Sequence, residues 1–465
     1  MVAVTHRPLG KSMQHTRSRT VLMAMTAASL FAMFFGAGNL VFPPMLGAQA
    51  GDGFAPALLG FMLSAVALPI LAVTAVAVTG GDILHLTSRG GRVFGVLFPV
   101  LVYLSIGASY ALPRTGAVSY AASVPPLTGT DSWTAKAVFA VVFFGLTYLL
   151  ALNPDGIIDT IGRYLTPALL GLMVLLVTLS LVRMERQPAA ASADYADQPF
   201  VSGFLQGYLT MDSLAALALG IVVITTLTHA GIEPGRRLLR SVSVAGLLAG
   251  LMLGAVYLGL ALIGQRLPDG QGYTDGASML SEAAHQTMGP TGTVVFALIV
   301  ILACLTTSVG LLGATSSFFA RLVPAVSYRT WAIVFSLVSL AISTLGLEQV
   351  IEVAAPIIGF LYPPAMALIL LVLVEAALRL RLHLAYVLAL AVALVWSAVM
   401  TLVGLGWGAS ALEPLISWSP GHAQQLGWVL PTLVAAVVGA VLDRVRGVPE
   451  RAARPDTART EPATA

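Results

Sequence analysis

Residues 31–51 read FAMFFGAGNLVFPPMLGAQAG. They belong to a run without charged residues from 20 to 51. That is long enough to cross a bilayer, which takes roughly 20 mostly apolar residues. Yet Gly36-Ala37-Gly38-Asn39 sits mid-run, and Pro43-Pro44 follows. Inside a helix glycine costs about 1 kcal/mol against alanine, and proline about 3. A segment apolar enough for lipid but interrupted this way predicts a membrane helix that unwinds part-way across. In hydrocarbon, freed backbone groups persist only where something else satisfies them. Unwound carbonyls suit a cation, and the N-terminal end of the next half-helix suits a carboxylate. The plainer reading is a proline kink among small packing residues. Asn39 and the proline pair in the same span weigh against it.

Eleven more charge-free runs of 18 residues or more follow along the 465-residue chain, the last at 414–442. Charged residues make up 10%, against about 25% in a soluble domain. Too few charges exist to cover a water-facing surface of this size, which excludes an ordinary soluble enzyme, a nucleic-acid binder and a disordered chain. A β-barrel is excluded because its strands would alternate apolar and polar over about ten residues. The fold class is therefore all-α and polytopic, with about 12 transmembrane helices. With the N-terminus inside, 19 of the 24 Lys and Arg fall on inside segments and 4 outside. By the positive-inside rule both termini are cytoplasmic, as an even number of spans requires. The basic start, apolar run and Ala48-Gln49-Ala50 mimic a secretory signal, but the run exceeds a signal core of 7–15 residues.

Helices one to five occupy 20–182 and helices six to ten 202–376. Five helices per half predicts a 5+5 inverted repeat, with helices 1 and 6 broken and two C-terminal helices added. The expected divisions are a tail at 1–19, a first repeat at 20–183 and an outside loop at 184–201. A second repeat at 202–377, helices 11 and 12 at 378–446 and a tail at 447–465 complete them. The outside segment 265–290 holds Pro268, Gly270, Gly272 and Gly276, which argues against one continuous helix there.

In the sixth helix, Asp212 has 14 charge-free residues before it and 20 after it. A carboxylate deep in the bilayer costs at least ~2.5–3.5 kcal/mol. It needs a partner: a substrate ammonium, a coupling cation, a proton or the buried Arg114. The alternative is a half-helix cap near the interface. Thr306 and Thr307 are adjacent hydroxyls in an apolar stretch, suitable for a hard cation. The alternative is a bond to the carbonyl one turn back. Arg114 either lines a watery passage or snorkels to the interface. Gly246, Gly250 and Gly254 read as a helix-packing face. Pro363-Pro364 reads as a static kink before a gate. The lone Cys304, seven histidines without zinc-site spacing and the absence of a phosphate-loop motif exclude a disulfide, a helical zinc site and ATP-driven transport.

The segments FFGAGNLVFPP, QGYLTMDSLAAL and ACLTTSVGLLG resemble the bacterial branched-chain amino acid:cation symporters. The resemblance spans about residues 20–445. It implies a leucine-transporter-type fold and uptake of leucine, isoleucine and valine with Na⁺, with no cofactor. It implies a substrate site at Phe34, Gly36, Ala37, Gly38, Tyr208, Thr210, Met211 and Asp212. It implies cation ligands at the carbonyls of Ala32, Phe35 and Ala303, the hydroxyls of Thr306 and Thr307, and the Asn39 side chain. The chain departs from the family's pattern at Ala121, where an acidic residue is expected. Without the family, the reading is a secondary transporter of the plasma membrane. Proton coupling through Asp212 is the second reading. A membrane-embedded enzyme lacks a paired nucleophile and base, and a channel lacks a repeated filter motif.

Overall fold

The computed structural model describes residues 19–446 except 153 and 188. The expected tails therefore lie outside the described residues, apart from Arg19. Among the described residues every regular element is helical. The first span is α1 (Arg19–Phe34) and α2 (Ala37–Gln49), parted at Phe35–Gly36. The second is α3 (Phe54–Met62), a π-helical stretch Leu63–Ala67 and α4 (Leu68–Thr79). After the short α5 (Ile83–Thr87), the third is α6 (Arg92–Leu104) and α7 (Ala111–Thr128). The fourth and fifth are α8 (Trp133–Ala151) and α9 (Pro154–Arg183). A connecting turn, α10 (Ala193–Ala196), leads to the sixth span, α11 (Pro199–Tyr208) and α12 (Asp212–His229). Then come α13 (Arg236–Gly264), α14 (Gly276–Leu322), α15 (Tyr328–Ser343) and α16 (Leu347–Leu378). The chain closes with α17 (Leu384–Gly404), the short α18 (Ala409–Ile416) and α19 (Val429–Arg446). Eight of these segments are long and apolar enough to cross a membrane. With the broken first span, the fifth, the ninth and the last, they make up twelve helical segments in series. The chain is a multi-pass membrane protein.

Three local results differ from expectation. The first span parts at Phe35–Gly36, at the start of the expected stretch, but the helix then runs on through Ala37–Asn39 and through Pro43 and Pro44. The third span, in which no break is expected from the sequence, is interrupted: Gly107 (φ −87°, ψ −108°) and Tyr110 (φ −148°, ψ −65°) leave the helix. Around Ile106, the run Ser105-Ile106-Gly107-Ala108-Ser109 offered as a signal only the small Ser105, Gly107, Ala108 and Ser109. The eighth helix does not start at 291. It begins at Gly276, capped by Asp275 on the Ala277 and Ser278 amides, and turns sharply at Gly289 (φ +68°). The 265–290 loop thus contributes a packed helix, with Ala277, Met279, Leu280 and Ala284 fully buried. The tenth span is continuous through Pro356, Pro363 and Pro364.

Glycines weld the helices that carry the breaks. A Cβ on Gly47 would overlap the Ala261 carbonyl, and one on Gly264 the Pro44 carbonyl, so α2 and α13 touch backbone to backbone. Gly60 against Phe200 and Gly203 against Ala57 do the same for α3 and α11. Gly276 meets the Val41 carbonyl of α2. The four-residue repeat packs on the second span: a Cβ added at Gly246 or Gly250 would meet Ile70, and one at Gly254 would lie 3.6 Å from Met62 Sδ. In hydrocarbon such close approach replaces the hydrophobic drive that lipid cannot supply. The outer elements are looser. In α8 and α17 only about a quarter of the apolar stretch is buried against the rest of the chain.

Two polar ties sit at helix ends. Arg89 Nη1 pairs with Glu375 Oε2 and lies 2.8 Å from Tyr386 Oη, joining the segment after α5 to α16 and α17. The Asp443 carboxylate of α19 accepts the His383, Leu384 and Ala385 amides at 2.8, 2.9 and 3.1 Å, capping α17.

Gly203→Val is expected to lower unfolding stability in detergent by about 1–3 kcal/mol or more through overpacking. Gly145→Val, whose added atom meets nothing within 4 Å, is the control, and thermal unfolding of both variants is the measurement.

Candidate functional site at two interrupted helices

At the first break the Gly36 amide donates to Phe34 O (2.8 Å), and the Asn39 amide to Gly36 O (3.1 Å). In an unbroken helix those amides would serve Ala32 O and Phe35 O. Both carbonyls are thereby released from helical pairing. Gly36 is extended (φ −107°, ψ −170°) and has no side-chain cap on α2. Ala37 opens α2; its side chain lies outside what is described. Thr307 of α14 stands against the break, its Cγ2 3.2 Å from where a Gly36 Cβ would be. The Thr307 hydroxyl donates to Ala303 O at 3.1 Å. The Thr306 hydroxyl donates to Leu302 O at 2.7 Å. The back-bonded state named above as the alternative is thus the one both hydroxyls adopt, and of the two Thr307 adjoins the break.

At the second break α11 ends at Tyr208, and Met211 takes a left-handed conformation (φ 65°, ψ 10°) before α12 begins at Asp212. For a non-glycine residue that costs roughly 1–2 kcal/mol. The surroundings hold it: Met211 is 2% exposed, and its amide reaches Tyr208 O at 3.0 Å. Thr210 Oγ1 donates to Gly207 O at 2.9 Å. Tyr208 turns toward α16, stacked on Tyr362 with ring centres 4.2 Å apart.

A buried network bridges the two breaks. Asp212 Oδ2 accepts from Tyr257 Oη at 2.8 Å and from Asn39 Nδ2 at 3.1 Å. Asn39 Nδ2 also lies 2.8 Å from Phe34 O. All three side chains are essentially buried: Asn39 1%, Asp212 3%, Tyr257 0% exposed. Asn39 Oδ1 is buried with no hydrogen-bond partner. Such an orphaned acceptor costs roughly 1–3 kcal/mol unless something donates or coordinates to it.

Arg114, 4% exposed, is neither at an interface nor in an open passage. Its Nη1 reaches Leu209 O (2.5 Å) and Tyr110 Oη (2.6 Å), and its Nη2 reaches Thr210 O (3.1 Å). These are the carbonyls that the sixth span releases where it unwinds. The guanidinium also lies flat on the first span. A Cβ on Gly38 would come within 2.5–2.6 Å of Cζ, Nη1 and Nη2. Gly38 is therefore bare to admit Arg114, a reason its sequence context does not reveal. Sequence reading also missed Tyr257, whose only signal was one tyrosine beside a glycine repeat, and Tyr110, hidden with the unforeseen break in the third span.

Two interrupted helices, cross-linked by a buried acid, an amide and a guanidinium within an all-helical bundle, define a membrane carrier. The fold matches that of the nucleobase-cation-symport-1 transporter MHP1, solved closed with bromovinylhydantoin: TM-score 0.58, 18% identity, 92% of this chain and 93% of that one. It is the leucine-transporter type of fold. Within that class the chain belongs to the branched-chain amino acid transport protein family, whose profile matches residues 19–446. It is 47% identical to the branched-chain amino acid permease BrnQ of Corynebacterium glutamicum, covering 90% of this chain and 94% of that protein. It is 39% identical to the branched-chain amino acid transport system 2 carrier protein of Pseudomonas aeruginosa, over 91% and 96%. These relatives are named as permeases and carriers, not enzymes.

Tyr257→Phe removes one of the two donors to Asp212 Oδ2. It is expected to cost about 1.5–3 kcal/mol, the usual worth of a hydrogen bond to a charged group. Unfolding of purified Tyr257→Phe against wild type checks this.

Proposed function

We propose that this chain imports leucine, isoleucine and valine across the plasma (inner) membrane, both termini cytoplasmic, coupled to Na⁺ by alternating access. The observation that carries the reading is the release of the Ala32 and Phe35 carbonyls beside Thr307. Carbonyl and hydroxyl oxygens are hard donors fitted to Na⁺, and rotation of the Thr307 and Thr306 hydroxyls away from Ala303 O and Leu302 O would complete the set with Ala303 O. Asn39 Oδ1, buried and unpaired, suits a second cation. The substrate would lie between the breaks. Backbone at Phe34, Gly36, Ala37 and Gly38 faces it from one side, and Tyr208, Thr210, Met211 and Asp212 from the other. The amide end of α2 favours its carboxylate. Buried Phe31, Phe35, Phe42 and Met211 supply apolar surroundings for a branched aliphatic chain. The names of the relatives support this substrate class. The two five-helix groups, each opening on a broken helix, would be related by an inverted repeat and rock about this site.

Proton coupling through Asp212 is a second reading, favoured by one observation. Asp212 takes part in none of the ion pairs among the described residues. Labelled-leucine uptake into proteoliposomes separates the two readings. Accumulation driven by a Na⁺ gradient at equal pH is expected. Uptake indifferent to Na⁺ but following a pH gradient removes the Na⁺ claim.

Thr307→Ala is expected to raise the half-saturating Na⁺ concentration about tenfold, one ligand being worth ~1.4 kcal/mol. Thr306→Ala should do less, since of the two only Thr307 packs against Gly36 at the break. Unchanged Na⁺ dependence in both variants means the cation site lies elsewhere.

A further inference from the structure

The α7 arginine is more than a brace for the sixth span. A guanidinium carries five N–H donors in a rigid fork. Arg114 uses two on Nη1, for Leu209 O and Tyr110 Oη, and one on Nη2, for Thr210 O. One Nη2 hydrogen and Nε–H remain, and Nε is buried with no partner. Nε and Nη2 form the side edge with which arginine grips a carboxylate bidentately. The nearest buried carboxylate does not fill it. Asp212 is held by Tyr257 and Asn39 and forms no ion pair with Arg114.

The centre of the molecule thus holds one guanidinium and one carboxyl group, both buried, in contact with the same two breaks and with no ion pair between them. An unpaired buried charge is expensive, and an opposite charge brought by a ligand offsets that cost. A zwitterion presents its two charges one carbon apart.

We propose that Arg114 is a substrate-binding residue: its Nε/Nη2 edge receives the α-carboxylate of the amino acid while Asp212 faces the ammonium. This rests on the amino acid reading above and adds to it a side-chain receptor. The three existing bonds of Arg114 fix the orientation of that edge. Gly38 contributes by leaving the guanidinium room to lie between the spans.

The test is direct binding by calorimetry to the full chain in detergent, with L-leucine and with leucinamide, which keeps the ammonium and side chain but lacks the carboxylate. Wild type is expected to prefer leucine by about 100-fold, the worth of two charge-assisted bonds. In Arg114→Gln that preference should fall to within about threefold, chiefly through loss of leucine affinity. Arg114→Lys, which keeps the charge but not the fork, should retain roughly a tenfold preference. A wild type that binds both ligands within threefold overturns the proposal even if no variant folds. So does an Arg114→Gln or Arg114→Lys protein that keeps the full preference while binding both ligands more weakly, the outcome of a purely structural brace. A wild type that binds no branched-chain amino acid fails the preceding proposal instead, and is recognised by the absence of any leucine heat.

Discussion

Lipid offers a backbone no hydrogen bonds, and the centre of this protein is organised around that constraint. Each place where a helix unwinds exposes peptide groups that must be satisfied by something other than water. At the sixth span the answer is a guanidinium: Arg114 takes Leu209 O and Thr210 O. At the first span the answer is incomplete. Phe34 O is served by Asn39 and by the Gly36 amide, while the pairing of Ala32 O and Phe35 O is lost and Asn39 Oδ1 is left bare. The asymmetry is informative. One break is satisfied from within the chain, and the other keeps a buried oxygen without a partner.

The same residues couple the two breaks. Asn39 belongs to the first span, Asp212 to the sixth and Tyr257 to the seventh, and a single carboxylate oxygen collects both donors. Arg114 extends the linkage to the third span while pressing on Gly38. A shift of either half-helix therefore changes hydrogen bonds on the other. A ligand with differential affinity for two arrangements can bias such a unit.

Much of the architecture is readable in the residues because the period of hydrophobicity and the placing of breakers are strong local signals. The run 20–51 announces a broken membrane helix, and Asp212 in a long apolar stretch announces a second special position. Other features rest on contacts between residues far apart in the chain. Nothing around Gly38 says that a guanidinium from residue 114 will cover it. Nothing around Tyr257 says that its hydroxyl will meet Asp212, 45 positions away. Prolines misled in one respect: Pro43 and Pro44 look like the breakers, but the helix passes through them and parts at Gly36, where extended backbone meets a close neighbour in Thr307. The interruption at Gly107 was invisible because small residues also favour tight packing.

The glycine seams of α2 have a bearing on how this sequence can vary. The second half of the first span meets α13 at Gly47 and α14 at Gly276 through bare main chain, whereas α1 contains no glycine. Along α1 the packing is made by side chains such as Leu30, Phe31 and Phe34, where a change of like volume can be met by repacking. At Gly47 any replacement adds atoms where a carbonyl already stands. The two halves of one helix are thus governed by different rules of substitution, one set by side-chain volume and the other by main chain already in place.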